Sequence, residues 1–333
     1  MFQQGFVNNA VKGTHTHIPT SISVNTGKNV GAIPINSQVT PSGGLIYNVP
    51  ISCIPVRNGI APSISIAYNS QSGNNIVGYG WSIEGLSSIT RVPRSIYYDG
   101  KVMPIEMNSN DAFMLDGIRL LPTNTVSVFE TEQGNIRVRM QKTDAGVISY
   151  FTVSYPNGTV AIFGSLTNAS DCLAYPICKS TDVLGNVISF SYDCQDNRYR
   201  ITKIEYGSHI TSDRPLASII FDYKKRFDVL SGYEGGKKVK LSHLLDNIMC
   251  YHGTELLHTY SFVYKTDNVS LLTKIDCDNL NPLQFYYGYD NNLMRLCIEL
   301  ASYMVKLGLN ISYEEARNMV VKAIKDKKAY NKL

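Results

Sequence analysis

Between Gly31 and about Asp290 the chain repeats one device: a short run of alternating apolar and small polar residues, cut off by turn-forming residues. Ser63-Ile64-Ser65-Ile66-Ala67-Tyr68 alternates with period two and is broken by Asn69-Ser70-Gln71-Ser72-Gly73-Asn74. Period two puts every second side chain on the same face, the pattern of a strand with one buried side, so a hairpin or tight loop is expected to follow. Phe151 to Tyr155 runs into Pro156-Asn157-Gly158 before Thr159 to Phe163 resumes, and Asn-Gly tolerates the positive φ of a tight hairpin turn. Leu184-Gly185-Asn186 precedes Val187 to Tyr192, while Arg200 to Tyr206, Ser218 to Tyr223, His258 to Tyr264 and Leu283 to Tyr289 repeat the theme. Aromatic-turn units such as Phe190-Ser191-Tyr192-Asp193 and Tyr286-Tyr287-Gly288-Tyr289-Asp290 recur without a regular period, which argues for a continuous wrapped sheet over equal propeller blades. The expected fold is mainly β, with many short antiparallel strands in a wrapped or shell-like sheet.

Composition agrees with that reading. Charged residues make up 17% of the chain, against roughly 25% in ordinary domains, while 22 Tyr and 25 Gly favour strands and turns. At 44% apolar over 333 residues there is ample material for a core. The net charge of +4 comes from basic and acidic side chains spread along the chain, so no nucleic-acid partner is expected. The lysines at 322, 325, 327, 328 and 332 read as a solvated helix end. No apolar run is long enough for a transmembrane helix, and Met1 to Thr20 has no basic segment followed by an apolar one. An extracellular destination would then need another route, with the protein cytoplasmic before release.

Residues 1–30 are polar and aperiodic, so a flexible arm is expected ahead of a β domain over 31–290. His15 and His17 lie in that arm, but two histidines do not make a tight metal site, and neither metal nor cofactor is expected. After Asp290 the periodicity changes. Leu293, Leu296, Leu300, Met304 and Leu307 fall at helical steps toward a stop at Gly308 and Asn310. A second helix begins at Ser312, with Glu315 completing a capping box and Ala316, Met319, Val320 and Ile324 forming its stripe. Residues 291–333 therefore read as a helical hairpin, whose expected role is to cover an open sheet edge. The seven cysteines, Cys53, Cys172, Cys178, Cys194, Cys250, Cys277 and Cys297, lack any C-x-x-C spacing and read as small buried hydrophobes. A bridge from Cys172 to Cys178 or Cys194 is the alternative in an oxidising compartment.

One series of motifs goes further. Gly31-Ala32-Ile33-Pro34-Ile35 and Pro41-Ser42-Gly43-Gly44 are followed by Tyr68-Asn69-Ser70, by Gly78-Tyr79-Gly80-Trp81-Ser82-Ile83, and by Ile89-Thr90-Arg91. Further on stands Asp111-Ala112-Phe113-Met114-Leu115-Asp116-Gly117-Ile118-Arg119-Leu120. In this order the chain resembles the SpvB-type N-terminal domain of toxin-complex B components and Rhs/YD-repeat proteins, over roughly residues 30 to 290. Phe163-Gly164 after Pro156-Asn157-Gly158, and Arg226-Phe227-Asp228 with Gly232-Tyr233, fit the same layout. The resemblance implies a β-rich part of a hollow shell that encloses or presents a toxic effector, with other toxin-complex or Rhs-type segments as partners. The chain stops short of the propeller, YD repeats and effector that the resemblance would add, so a truncated or stand-alone piece is expected.

The motif residues read as structural. Trp81, the sole tryptophan, is expected to anchor a core where Gly78 and Gly80 permit close backbone approach. Gly78-Tyr79-Gly80 is no dinucleotide site, because no helix pattern follows. Arg91, Asp116 and Arg119 are expected to form ion pairs that tie strands together, with ligand binding as the alternative. The sequence shows no G-x-S-x-G elbow, H-E-x-x-H or P-loop, and His209, His243, His252 and His258 are isolated. The protein that gives the resembled family its name carries a C-terminal ADP-ribosyltransferase domain. Here Glu314 and Glu315 open a short helix instead of sitting on a catalytic loop. The expected function is thus a non-catalytic structural and interaction module. A carbohydrate- or surface-binding module, contacting host glycans, is the alternative.

Overall fold

The computed structural model describes residues 31–325, apart from 57–58, 166–172, 213, 235, 267, 279 and 288–291. The expected arm over 1–30 with His15 and His17, the residue Cys172, and Lys327, Lys328 and Lys332 lie outside the described residues. The described residues fall into two compact units, one up to Gln284 and the other from Phe285 onward.

The first unit opens with β1 (Asn36–Val39), β2 (Leu45–Pro50), β3 (Ser65–Asn69), the two-residue strands β4 (Asn74–Asn75) and β5 (Gly78–Tyr79), and β6 (Trp81–Glu84). Strands β1, β2, β3 and β6 form an antiparallel four-stranded sheet in that order, and β4 and β5 form a small ribbon. The chain continues through β7 (Ser88–Val92), α1 (Ile96–Asp99), β8 (Ala112–Leu115), β9 (Ile118–Pro122), β10 (Val128–Thr131), β11 (Arg137–Lys142), β12 (Ile148–Ser154), β13 (Val160–Phe163) and β14 (Ala174–Thr181). From β7 to β13 each strand pairs antiparallel with the next, and β14 then pairs with both β13 and β7. The pairings of β7 through β14 therefore close into a ring, a barrel-like arrangement that leaves no free edge among these strands.

The sheet leaves this ring through β14 and extends as β15 (Asn186–Gln195), β16 (Arg198–His209), β17 (Ala217–Glu234), β18 (Lys237–His252), β19 (Glu255–Thr266), β20 (Ser270–Cys277) and β21 (Leu283–Gln284). Fifteen strands thus share one sheet. Local chemistry explains the hairpins. Asp116 and Gly117 have φ of 48° and 81°, and Asp196 and Asn197 have 54° and 62°. Two successive positive φ values match the right-handed twist of the flanking strands, and Asp, Asn and Gly tolerate them best. Strands β16 to β19 run to 12, 18, 16 and 12 residues, longer than the alternating runs that announced them. The run from Leu283 yields only the two-residue β21.

The ring is filled by Phe113, Val138, Phe151, Val153, Ala161, Phe163 and Tyr175, all essentially inaccessible. Phe113, Phe151 and Tyr175 meet edge to face, with centroids 4.9 to 6.4 Å apart. Each such ring contributes about 2–3 kcal/mol by burial. Ile204, Ile219, Leu245, Ile248, Leu272 and Ile275 form the core of the extension.

In the second unit α2 (Asn292–Leu309) and α3 (Tyr313–Lys325) form the expected pair. Asn310, at φ 51°, ends the first helix in the left-handed conformation common just past a C-cap. The capping box closes as expected, with Ser312 Oγ donating to Glu315 Oε2 at 2.8 Å and the Glu315 amide donating back to Ser312 Oγ. Of the α2 stripe, Leu300, Met304 and Leu307 are exposed. The second helix meets α2 through Glu299 and Tyr303 instead, where Tyr303 packs on Tyr313 at 5.1 Å and Glu299 accepts from Tyr313 and pairs with Arg317. Ala316 and Val320 of the α3 stripe are buried, whereas Met319 is half exposed.

Candidate functional site

The first group of motif residues gathers around the tryptophan. The β3–β6 register places Tyr68 opposite Trp81 and Ala67 opposite Ser82. Tyr68 lies between two rings, Tyr47 at 5.9 Å and Trp81 at 5.2 Å. Trp81 is buried, and Gly80, at φ 80°, leaves room for Tyr68, whose Cε2 would lie 2.5 Å from any added Cβ. The Asn69 amide donates to the Gly80 carbonyl while Asn69 Oδ1 accepts from the Gln71 amide, which closes the loop after β3. Ser70 exchanges hydrogen bonds with Leu45, its Oγ accepting from the Leu45 amide and its amide donating to the Leu45 carbonyl. Gly78 lies against the Ser270 carbonyl, 2.8 Å from the position of a Cβ, so β5 rests on β20 at a distance no other residue permits.

A second group lies in and beside the ring. Thr90 of β7 pairs with Met114 on one side and Ala174 on the other. Arg91 is buried and donates to Asp111 Oδ2 at 2.6 Å, to Tyr175 Oη at 2.6 Å and to the Asn108 carbonyl, with its guanidinium over the Phe113 ring. Asp111 also accepts from the Glu106 and Asn108 amides, so its buried charge is paired and hydrogen-bonded. Arg119 makes both its carboxylate bonds to Asp99 of α1 at 2.7 Å and stacks over Tyr98. Asp116 departs from the expected ion pairs: its carboxylate accepts from Ser87 Oγ and the Ser88 amide, anchoring the Asp116-Gly117 turn to the start of β7. The reason is geometric, since the turn points this side chain toward free amide and hydroxyl donors. The twelve motif residues therefore do not converge on one site.

A third network lies outside the expected site residues, although Arg226 and Asp228 belong to the Arg226-Phe227-Asp228 motif. Asp228, in the irregular stretch of β17, accepts from Arg226, Asn74 and both the amide and hydroxyl of Ser270. Burial alone would raise its pKa, but the bonds from Arg226, Ser270 and Asn74 hold the carboxyl well below the usual range. Arg226 also reaches the Asn75 carbonyl, so one buried pair joins β4, β17 and β20.

A cleft of 710 Å³ opens beside β15 to β18, with Tyr192, Arg200, Ser242 and His243 among its lining residues. Ser242 donates its hydroxyl proton to Asp196 and stands 2.9 Å from His243 Nδ1. A hydrolytic triad needs histidine between the other two, taking the serine proton. Here serine is the middle member and its one proton is committed to the carboxylate, so the arrangement does not activate a nucleophile. Burial first, and then the Arg200 charge, hold His243 below its ordinary pKa. Cys53, Cys178, Cys194, Cys250 and Cys277 are free thiols, and Cys194 is exposed, contrary to the expected burial. It sits near the end of β15, beside the Asp196-Asn197 turn, where the chain reaches solvent. Among the described residues, His258, Cys277 and Asp278 form a mixed donor cluster whose ligand atoms lie within 4.8 Å of one another.

Comparison with known proteins places this arrangement. The family described as SpvB, Salmonella virulence plasmid 65kDa B protein, matches residues 39–205, half of the chain. The chain belongs to the SpvB family. No curated protein sequence matches it. The same fold recurs in the N-terminal domain of the effector SpvB from Salmonella typhimurium strain LT2, at 17% identity and a TM-score of 0.58, over 70% of this chain and 100% of that one. It recurs in the TcdB2-TccC3 crystal structure, at 17% identity and TM-score 0.62, over 80% of this chain. The Photorhabdus luminescens Tc holotoxin pore matches at 16% identity and TM-score 0.60 over the same share of this chain. This SpvB-family chain spans 17% and 16% of those two toxin chains. The family match ends within β16, whereas the sheet runs on to β21.

Proposed function

We propose that this SpvB-family chain is a non-catalytic structural and interaction module of a secreted toxin-complex or Rhs-like virulence protein. In this reading its sheet forms part of a β shell that encloses or presents an effector. The observation that carries it is the continuous fifteen-stranded sheet, closed on itself at β13–β14 and then extended through long strands. Such a sheet makes a wall, and a wall that returns to itself leaves few edges to aggregate. The polar constellations support the same reading, because Arg91, Arg119 and Asp228 direct their side-chain hydrogen bonds to neighbouring strands, loops and α1. The glycan-binding alternative has weaker support: among the described residues the exposed Tyr79, Tyr97, Tyr233, Tyr286 and Tyr303 sit on separate segments instead of lining one strand face.

Light scattering of the purified chain, alone and mixed with the products of neighbouring reading frames, tests the proposal. A stoichiometric complex with another shell segment is expected. A monodisperse monomer that binds none of them, or a hydrolase or transferase activity abolished by one substitution, would overturn it.

A further inference from the structure

Strands β19 and β20 bring three chemically different ligand atoms to one point. Their register pairs Tyr260 with Cys277 and Ser261 with Asp276. His258 stands two residues before Tyr260, so the period-two alternation puts it on the face that Cys277 shares. Asp278, the first residue after β20, adopts φ 38°. A non-glycine residue enters that left-handed region at a cost, and here the conformation folds the carboxylate back over the strand ends. Asp278 Oδ2 then lies 3.2 Å from His258 Nδ1 and 3.9 Å from Cys277 Sγ. The other carboxylate oxygen, Oδ1, accepts from the Thr259 amide at 3.0 Å.

Those separations suit a metal ion. With zinc bonds of roughly 2.0–2.2 Å to nitrogen or oxygen and 2.3 Å to sulfur, ligand atoms of a tetrahedral site stand about 3.3–3.6 Å apart. The carboxylate's separations from nitrogen and sulfur, 3.2 and 3.9 Å, bracket that range, and all three ligand atoms lie within 4.8 Å of one another, so side-chain rotations that move them by about 1 Å suffice. The Thr259 amide holds Oδ1 while Oδ2 faces His258 and Cys277, the kind of outer contact that orients a ligating carboxylate. The side chains of His258 and Asp278 are 40% and 36% exposed, which gives an ion an entry path and leaves a fourth position for water. An imidazole, a thiol and one carboxylate together disfavour Ca²⁺ and Mg²⁺, which take oxygen ligands, and suit a borderline ion.

We propose that His258 Nδ1, Cys277 Sγ and Asp278 Oδ2 bind Zn²⁺, clipping the end of β20 to β19. On binding, the metal–sulfur bond replaces the S–H bond, the thiol proton goes to solvent, and no electron changes hands.

Titrating the purified full chain with Co²⁺ and following its absorbance tests this. One equivalent should give tetrahedral visible bands with a thiolate-to-cobalt charge-transfer band in the near ultraviolet, and Zn²⁺ should abolish both. Cys277→Ala should lose the charge-transfer band. His258→Gln, at a partly exposed position that leaves the core intact, should weaken binding by more than about tenfold, the low end for a residue that only orients a ligand. Cys53→Ala should bind as the wild type does. A folded chain that shows no thiolate band at stoichiometric Co²⁺, a band that survives Cys277→Ala, or unchanged affinity in His258→Gln would overturn the site.

Discussion

Tyr68 and Trp81 face each other across the β3–β6 ladder with ring centroids 5.2 Å apart, and they can do so because the residue before Trp81 has no side chain. Replacing Gly80 by Ala would force a Cβ to within 2.5 Å of Tyr68 Cε2 while holding an L-residue at φ 80°. The left-handed backbone costs about 1–2 kcal/mol and the displaced ring about 1–3 more. Thermal unfolding of Gly80→Ala should therefore occur several degrees below wild type, with the Trp81 fluorescence altered. An unchanged melting temperature would show that the rings do not need this approach.

The buried Arg226–Asp228 pair predicts an acid-sensitive fold. Asp228 has a folded-state pKa below its unfolded value, so its stabilising contribution is complete above about pH 4 and is lost as pH falls through the folded value. Asp228→Asn should lower stability at pH 7 by about 3 kcal/mol, since it leaves Arg226 buried without its counter-charge. It should also flatten the loss of stability between pH 4 and 2. Denaturant unfolding of both proteins across that window is the check.

Arg91 and Arg137 both pair with acids, but only one pair is out of water. The Arg91 and Asp111 side chains are 1% and 3% exposed, against 66% and 34% for Arg137 and Glu130. Arg91→Met should cost about 3–5 kcal/mol because Asp111 is left charged and buried. Arg137→Met should stay within about 0.5 kcal/mol. Equal effects in urea unfolding would contradict this.

Tyr192 presents the opposite case, because its hydroxyl is buried with no hydrogen-bond partner among the described residues. A buried hydroxyl left unsatisfied costs about 1–3 kcal/mol, so removing it should help. Tyr192→Phe is expected to raise the melting temperature or leave it unchanged. A clear loss of stability would mean that the hydroxyl has found a partner in solution.

Thiol reactivity should separate the cysteines. Burial pushes the Cys250 thiol up to about 12, with Cys53, Cys277 and Asp278 adding to the effect, and burial raises Cys53 to about 11. At pH 8 both are almost wholly protonated, and Cys250 is buried and Cys53 half-buried, while Cys194 is exposed. Peptide mapping after brief alkylation of the native protein should find Cys194 modified well before Cys250.

What could be read from the sequence was whatever depends on neighbours along the chain. The Asp116-Gly117 turn, the Ser312–Glu315 capping box, the stop at Asn310 and the alternation of β3, β12 and β13 each rest on a few consecutive residues whose φ preferences and side-chain periods are intrinsic. The motif series carried the family for the same reason. By contrast, Asp116 was grouped with Arg91 and Arg119, yet each arginine found a different acid, Asp111 or Asp99, about twenty residues away. Nothing in the spacing marks those partners, because they meet only after the ring has formed. The α2 stripe shows a related limit: periodicity locates an apolar face but does not say whether anything covers it.

By itself, then, the sequence determined a turn-rich β chain with a helical hairpin, the positions of its tightest turns, and its membership of the SpvB family. Only the tertiary structure decided that β13 closes on β14, that Arg226 and Asp228 join β4, β17 and β20, and that His258, Cys277 and Asp278 share one point in space. The physical reason is that a strand's pattern states which face is buried and leaves open which strand will lie beside it. That choice belongs to long-range pairing and packing, whose free energy is spread over residues far apart in the chain.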